Sequence, residues 1–428
     1  MGGDRALPAG SVDALPAVGS QSKIHRDDPL HLANTRRLWF HYPVELRRLH
    51  LEHFRNYPAL ELELGTGMHV FAGANAQGKT NLLEAVYLTA TGRSPRTSQE
   101  GEMVGWDADV ARVTGEFVSE TRGPVTIEVS LGRKTPVEEG KRGGTAQKRI
   151  KVNGAARPPA DLAGLVPVVL FLVEDLEIVR GEPARRRDFL DTDLAAMSRT
   201  YAWTLRQYTR VLEQRNRLLK AMRDGQADAG ELWAWNDQLA RYGGRLMEVR
   251  LRFLADLNPL SVPVYQGLTA SPQGMTLGYK REWGDPAAAP AARDDFAALI
   301  LDALEAVAPE EVRRGSSLVG PHRDDVQVLV DGKDVRQFGS QGEQRTAALA
   351  LRVAEFTLLT RLLREPPVLL LDDILSELDR TRRAALLDHL AAVAQVIVTT
   401  TDVDAAGLPA RPDVTVYRVA AGTVERDH

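Results

Sequence analysis

A short apolar run, a phosphate-loop pattern and an amphipathic helix follow one another without a break in "MHVFAGANAQGKTNLLEAVYLTATG", residues 68–92. Gly73, Gly78, Lys79 and Thr80 have the spacing G-x-x-x-x-G-K-T. Such a loop works when a buried strand delivers it and a helix N-terminus leaves it, because its backbone N–H groups must converge on phosphate. The flanks meet that demand: Leu82, Leu83, Val86 and Tyr87 share one helix face, and Gly92 marks the helix end. The expected nucleotide contacts are Gly73, Ala74, Asn75, Ala76, Gln77, Gly78, Lys79, Thr80 and Asn81. Lys79 would neutralise the β and γ phosphates of ATP, and Thr80 would offer its hydroxyl to Mg²⁺. The loop alone does not say what the energy is for.

Two further segments narrow the answer. "PVLLLDDILSELD" reads as a buried parallel strand, so Asp372 and Asp373 emerge at its ligand-facing end. Asp372 can hold Mg²⁺ and Asp373 can polarise an attacking water, whereas the plain alternative is that the pair only caps a turn. "FGSQGEQRT" puts Ser340, Gly342 and Glu343 ahead of a long helix, a combination that makes either an anion site or an ordinary N-cap. A phosphate loop far upstream and a serine signature just before the second acidic strand is the order of an ABC-type ATPase, in which the signature of one subunit covers the nucleotide of the other.

Composition excludes several classes. Lys plus Arg number 54 against 58 Asp plus Glu, so any nucleic-acid footprint must be local. The run "LAGLVPVVLFLV" is interrupted by Pro167 and falls short of the roughly 20 apolar residues of a membrane helix. Cys is absent, which removes disulfides and thiolate metal sites. Residues 1–43 carry no secretory pattern and read as a flexible leader, and a cytoplasmic location is expected.

"VELRRLHLEHFRNYPALELEL" alternates on both sides of a turn, as two half-buried strands would. Strand-like runs at 110–118 and 125–131, and "KRIKVNGAARP" entering an Asn-Gly turn, continue a β-rich lobe. Residues 184–258 have helical spacing, broken near Gly225, and predict an antiparallel helical hairpin. From "VQVLVDG" onward, strands and helices alternate again, with buried strands at "PVLLLDD" and "QVIVTTT".

Taken together, "HFRNY", "GANAQGKTNLLEAVYL", "GRSPRT", "EDLEIVRGEPARRRDFLD", "QRNRLL", "GPHRDD", "SQGEQRT" and "LLLDDILSELD" occur in an order that resembles the RecF family of recombination mediators, within the ABC ATPase group that includes the SMC proteins. The resemblance covers the chain from about residue 44. It implies an α/β ABC-type ATPase head, with a mixed sheet and a β-rich lobe, interrupted by an inserted helical arm. The expected division is 1–43 leader, 44–190 first head part, 191–310 arm and 311–428 second head part. It implies that Ser340 and Gly342 act in trans, that Asp373 stands where many relatives carry a catalytic Glu, that Ser376 to Asp379 resemble a loop crossing the dimer seam, and that Arg55 and Asn56 approach the nucleotide. Pro95 and Val173 depart from the family pattern. Thr399 and Thr400 follow "QVIV" where ABC transporters keep a His.

Lys141, Arg142, Lys148, Arg149, Lys151 and Arg157 occur with no acidic residue among them, which is either a solvated run or a DNA-phosphate contact. Arg185, Arg186 and Arg187, with Arg206, Arg210, Arg215 and Arg217 of the helical hairpin, could extend it. The expected function is an ATP-gated homodimeric clamp on double-stranded, single-stranded or junction DNA, largely independent of sequence. The family likeness adds slow DNA-stimulated ATPase activity and RecR/RecO-type mediator partners that load recombinase at gaps and stalled forks. The competing readings are an SMC-like tether, which would need coiled coil over hundreds of residues, and a transporter ATPase subunit.

Overall fold

The computed structural model describes residues 43–133, 148–284, 295–390, 395–403 and 414–427. The strands are β1 (Glu45–Phe54), β2 (Tyr57–Glu63), β3 (Met68–Ala72), β4 (Val110–Ser119), β5 (Gly123–Gly132), β6 (Lys148–Val152), β7 (Ala155–Arg157), β8 (Val168–Phe171), β9 (Met275–Lys280), β10 (Asp325–Val330), β11 (Lys333–Asp334), β12 (Val368–Asp372), β13 (Val396–Thr400), β14 (Val414–Ala420) and β15 (Thr423–Arg426). The helices are α1 (Lys79–Thr91), α2 (Pro183–Met197), α3 (Arg199–Arg223), α4 (Leu232–Thr269), α5 (Asp295–Arg314), α6 (Val335–Phe338), α7 (Gln341–Leu363) and α8 (Arg380–Leu390).

Two six-stranded sheets frame the head. The antiparallel one runs β2-β1-β4-β5-β6-β7, and the mixed one runs β15-β14-β3-β13-β12-β8. Alternation along β1, with Leu49 and Leu51 buried and Arg48 and His50 outward, follows from one covered face. The central strands of the mixed sheet are apolar on both sides because both sides are covered. Phe71, Leu170, Val368, Leu370 and Ile397 face α1 and the antiparallel sheet. Val70, Val169, Phe171, Leu371 and Val398 face α7 and the helical segment. Fully burying each such side chain contributes about 1.5–3 kcal/mol, so this double cover sets the register of the strand ends.

That register builds the site. β3 is parallel to both β13 and β14, with Ala72 opposite Thr400. β12 is parallel to β13, with Asp372 opposite Thr399. The phosphate loop, the two aspartates and the two threonines therefore leave one edge of one sheet.

The expected helical hairpin is present as α3 and α4, but α4 runs on to Thr269 through Pro259 and Pro263. Leu260, Tyr265 and Leu268 are buried beyond the first proline, and the Ser261 hydroxyl donates to Leu257 O at 3.0 Å. Packing outweighs the lost backbone bonds. Arg215 of α3 is wholly buried, where it donates to Glu311, Ser317 and Asn236. Arg186 is buried against Asp325, and Arg187 donates to Asp324 O. Arg215 and Arg186 are buried and hold the fold, Arg187 is half-buried, and Arg206, Arg210 and Arg217 are exposed.

Candidate nucleotide site

The loop after β3 is shaped by close backbone approach. A side chain at Gly73 would lie 2.3 Å from Val419 O of β14, and Gly78 has φ +115° and would meet Asn56 and the Tyr57 hydroxyl within 3 Å. Lys79 is buried and donates from Nζ to Gly73 O (2.6 Å) and Ala74 O (2.9 Å). Burial pushes its pKa down, and the nearby Asp373 and Asp372 oppose that. The ammonium is thus held at the loop by acceptors that a phosphate could replace.

At the end of β12, Thr80 donates its hydroxyl to Asp372 Oδ1 at 3.1 Å, and Thr399 donates to the same oxygen at 2.6 Å. Burial pushes the Asp372 carboxyl up, while the bonds from Thr399 and Thr80 pull it down. Thr80 and Asp372 are hard oxygen donors suited to Mg²⁺, and no cluster of three or more His, Cys, Asp or Glu occurs among the described residues. An ion there would take its other ligands from phosphate and water, which is the habit of Mg²⁺. Asp373 occupies the cap position of a short turn over Ile374–Glu377 but makes no capping bond, and its Oδ1 is buried without a partner. The plain cap reading of this residue therefore fails.

Contacts from other elements brace the loop. Asn56 donates to Gln77 O at 2.9 Å and accepts from Asn81 Nδ2 at 2.8 Å, and Tyr57 donates to Gly78 O at 3.0 Å. Arg55 is not aimed at the loop. Its Nε and Nη2 donate to the buried carboxylate of Glu84, whose countercharges are Arg55 and Arg96 among the described residues, and its Nη1 donates to Glu102 O. The hairpin of β14 and β15 reaches the loop from the far end of the chain: Ala421 N donates to Gln77 Oε1 (2.7 Å) and Gly422 N to Gln77 O (3.2 Å). Val173 opens a short turn after β8, and Leu172 N donates to Asp175 there.

The signature segment is different in kind. Ser340 caps α7, and its partner is Glu343 of the first turn: Ser340 N donates to Glu343 Oε2 at 2.8 Å, and Glu343 N donates to Ser340 Oγ at 3.3 Å. The N–H and the hydroxyl that Ser340 donates to it hold the Glu343 carboxyl below its ordinary range. The N-cap reading is thus correct as geometry, yet Ser340, Gln341 and Gly342 remain exposed at a helix N-terminus where anions are favoured. A cleft of about 260 Å³ beside them is lined by residues including Arg345, Glu377 and Arg382, so α7 abuts the Ser376–Asp379 segment.

A model of the RecF/RecN/SMC N-terminal domain family matches residues 45–418. The DNA replication and repair protein RecF of Heliobacterium modesticaldum is 38% identical over 387 residues, covering 90% of this chain and all of that protein. The chain belongs to the RecF family. The RecF of an Exiguobacterium species is 36% identical over 90% of this chain. A solved structure of the recombination mediator protein RecF with ATP, in the RecFOR pathway, superposes with a TM-score of 0.79 at 30% identity and covers 91% of this chain and 99% of that one. An SMC head bound to a ScpA winged-helix domain shares the fold, with a TM-score of 0.50 at 14% identity.

In this RecF-family chain the basic run is partly neutralised in space. Lys148 pairs with Glu100 at 2.7 Å, Lys151 with Glu128 at 3.0 Å, and Arg157 lies 3.9 Å from Asp161. Arg149, on the same strand, is exposed. The acidic partners come from neighbouring elements, which a count along the sequence cannot reveal. Lys141 and Arg142 lie outside the described residues. No helix among the described residues is long and apolar enough to cross a membrane.

Proposed function

We propose that the chain is an ATP-operated DNA clamp of repair and recombination, slow as an ATPase and stimulated by DNA, which closes as a homodimer and opens on hydrolysis. The observation that carries this reading is the contrast within one ATPase head: Lys79, Thr80, Asp372 and Asp373 converge at one sheet edge, while Ser340 and Gly342 stand exposed on a helix N-terminus where the Ser340 side chain pairs with Glu343 of the same turn. A nucleotide held by Lys79 would be completed by Ser340 of a second copy.

Lys79 would exchange its two carbonyl acceptors for β- and γ-phosphate oxygens. Thr80 and Asp372 would hold Mg²⁺, which supplies charge neutralisation at the phosphates. Asp373 would accept a proton from water, its free carboxylate oxygen being poised for that contact. The arm, proposed as residues 191–310, and the β-rich lobe would grip the duplex or a duplex to single-strand junction. RecR/RecO-type mediators are the proposed partners and the cytoplasm the proposed location. Sizing by light scattering tests the reading: a dimer with ATP, a monomer with ADP, and a long-lived DNA-bound dimer for Asp373→Asn with ATP. A monomer under all three conditions would end it.

A further inference from the structure

Thr399 is a fully buried hydroxyl in β13, following the wholly apolar Val396, Ile397 and Val398. A valine would fit such a strand without a polar group to satisfy, so the hydroxyl needs a reason. A threonine hydroxyl has one hydrogen to give and two lone pairs to receive. Its hydrogen points to Asp372 Oδ1 at 2.6 Å, since a carboxylate oxygen only accepts, and the Thr399 hydroxyl oxygen itself accepts the Asp373 N–H at 3.0 Å. Asp373 is a non-glycine residue with φ +51°, in the left-handed region that side chains avoid. One side chain therefore orients the Asp372 carboxylate toward Thr80 and pins the peptide at which the chain turns to expose Asp373. The next residue does neither: Thr400 bonds locally to Asp402. The placement follows from the parallel register that sets Asp372 opposite Thr399.

We infer that Thr399 is a positioning residue of the ATPase site, acting through its hydroxyl on both aspartates at once. This deepens the proposed function and rests on it. Supporting partners of metal ligands typically affect metal affinity or activity by about 10- to 100-fold, which sets the size of the expected effect. Thr399→Val, which keeps the shape and removes the hydroxyl, should lower kcat within about that range, leave KM for ATP at saturating magnesium within about threefold, and raise the magnesium concentration for half-maximal binding of a fluorescent ATP analogue several-fold. Thr399→Ser, which restores the hydroxyl, should recover kcat to within about threefold of wild type. If Thr399→Val does not fold, Thr399→Ala against Thr399→Ser gives the same contrast. An unchanged kcat without the hydroxyl, a serine variant as impaired as valine, or a lower melting temperature with no shift in the magnesium midpoint would each overturn the inference. Wild-type protein that fails to hydrolyse ATP in this assay would overturn the proposed function and this inference together.

Discussion

The phosphate-loop edge and the signature turn both present backbone N–H groups at a helix N-terminus, yet they are supported in opposite ways. Around the loop, Lys79, Asp372 and Thr399 are largely withdrawn from solvent: Lys79 donates to the loop carbonyls, and Asp372 of β12 accepts from Thr80 of α1 and Thr399 of β13. At the signature, Ser340 is exposed and leans only on Glu343, three residues on. A binding surface complete in one chain has no need to leave such a turn bare, and one that awaits a second chain must. On the proposed reading, the difference places rigidity on the side that would recognise phosphate and accessibility on the side that would meet a second chain.

Lys79→Ala should have the largest effect, abolishing ATP binding by equilibrium titration, with more than about a 100-fold loss of affinity, since among the described residues Lys79 is the cation that bonds the loop carbonyls. Gly422→Val should come next. Its Cβ would lie 2.2 Å from Asn56 O at a φ of +77°, so the hairpin must move off Gln77. A fall in melting temperature with roughly tenfold weaker ATP binding is expected. Ser340→Arg should leave ATP affinity of the monomer within about twofold and cost about 1 kcal/mol of stability through the lost cap, while preventing ATP-driven dimerisation in light scattering. A monomer whose affinity fell as far as that of Lys79→Ala would erase the contrast. Replacing Lys148, Arg149 and Lys151 with Gln should leave ATP binding untouched. It should reduce the slope of log DNA affinity against log salt by clearly less than the about 3 that three unpaired charges would give, because Lys148 and Lys151 are already paired.

Where chemistry and pattern were contiguous, the sequence was a sufficient guide. The strand, loop and helix at 68–91 and the strand ending in Asp372 are visible because burial on both faces forces unbroken apolar runs. The antiparallel strands were equally clear, since one solvated face makes them alternate. Long-range geometry was not legible. Gln77 meets Ala421, and Thr399 meets Asp372, only because parallel pairing fixes the register. The run that forms β14 and β15 carries no chemical signature. Prolines at 259 and 263 argued for a helix end that tertiary packing overrode. Arginine richness misled at Arg215 and Arg186, whose acidic partners lie 96 and 139 residues away.

The clamp of the β14–β15 turn on Gln77 has a consequence for how the protein is made. β3 lies between β13 and β14, two of the last strands to leave the ribosome, and its loop leans on residues 421 and 422. A nascent chain that has already exposed its phosphate loop cannot yet shape it, and pairings so distant in sequence form late. Nucleotide can therefore recognise only the finished fold, and a chain truncated before residue 414 would be silent toward ATP despite carrying every residue of the loop.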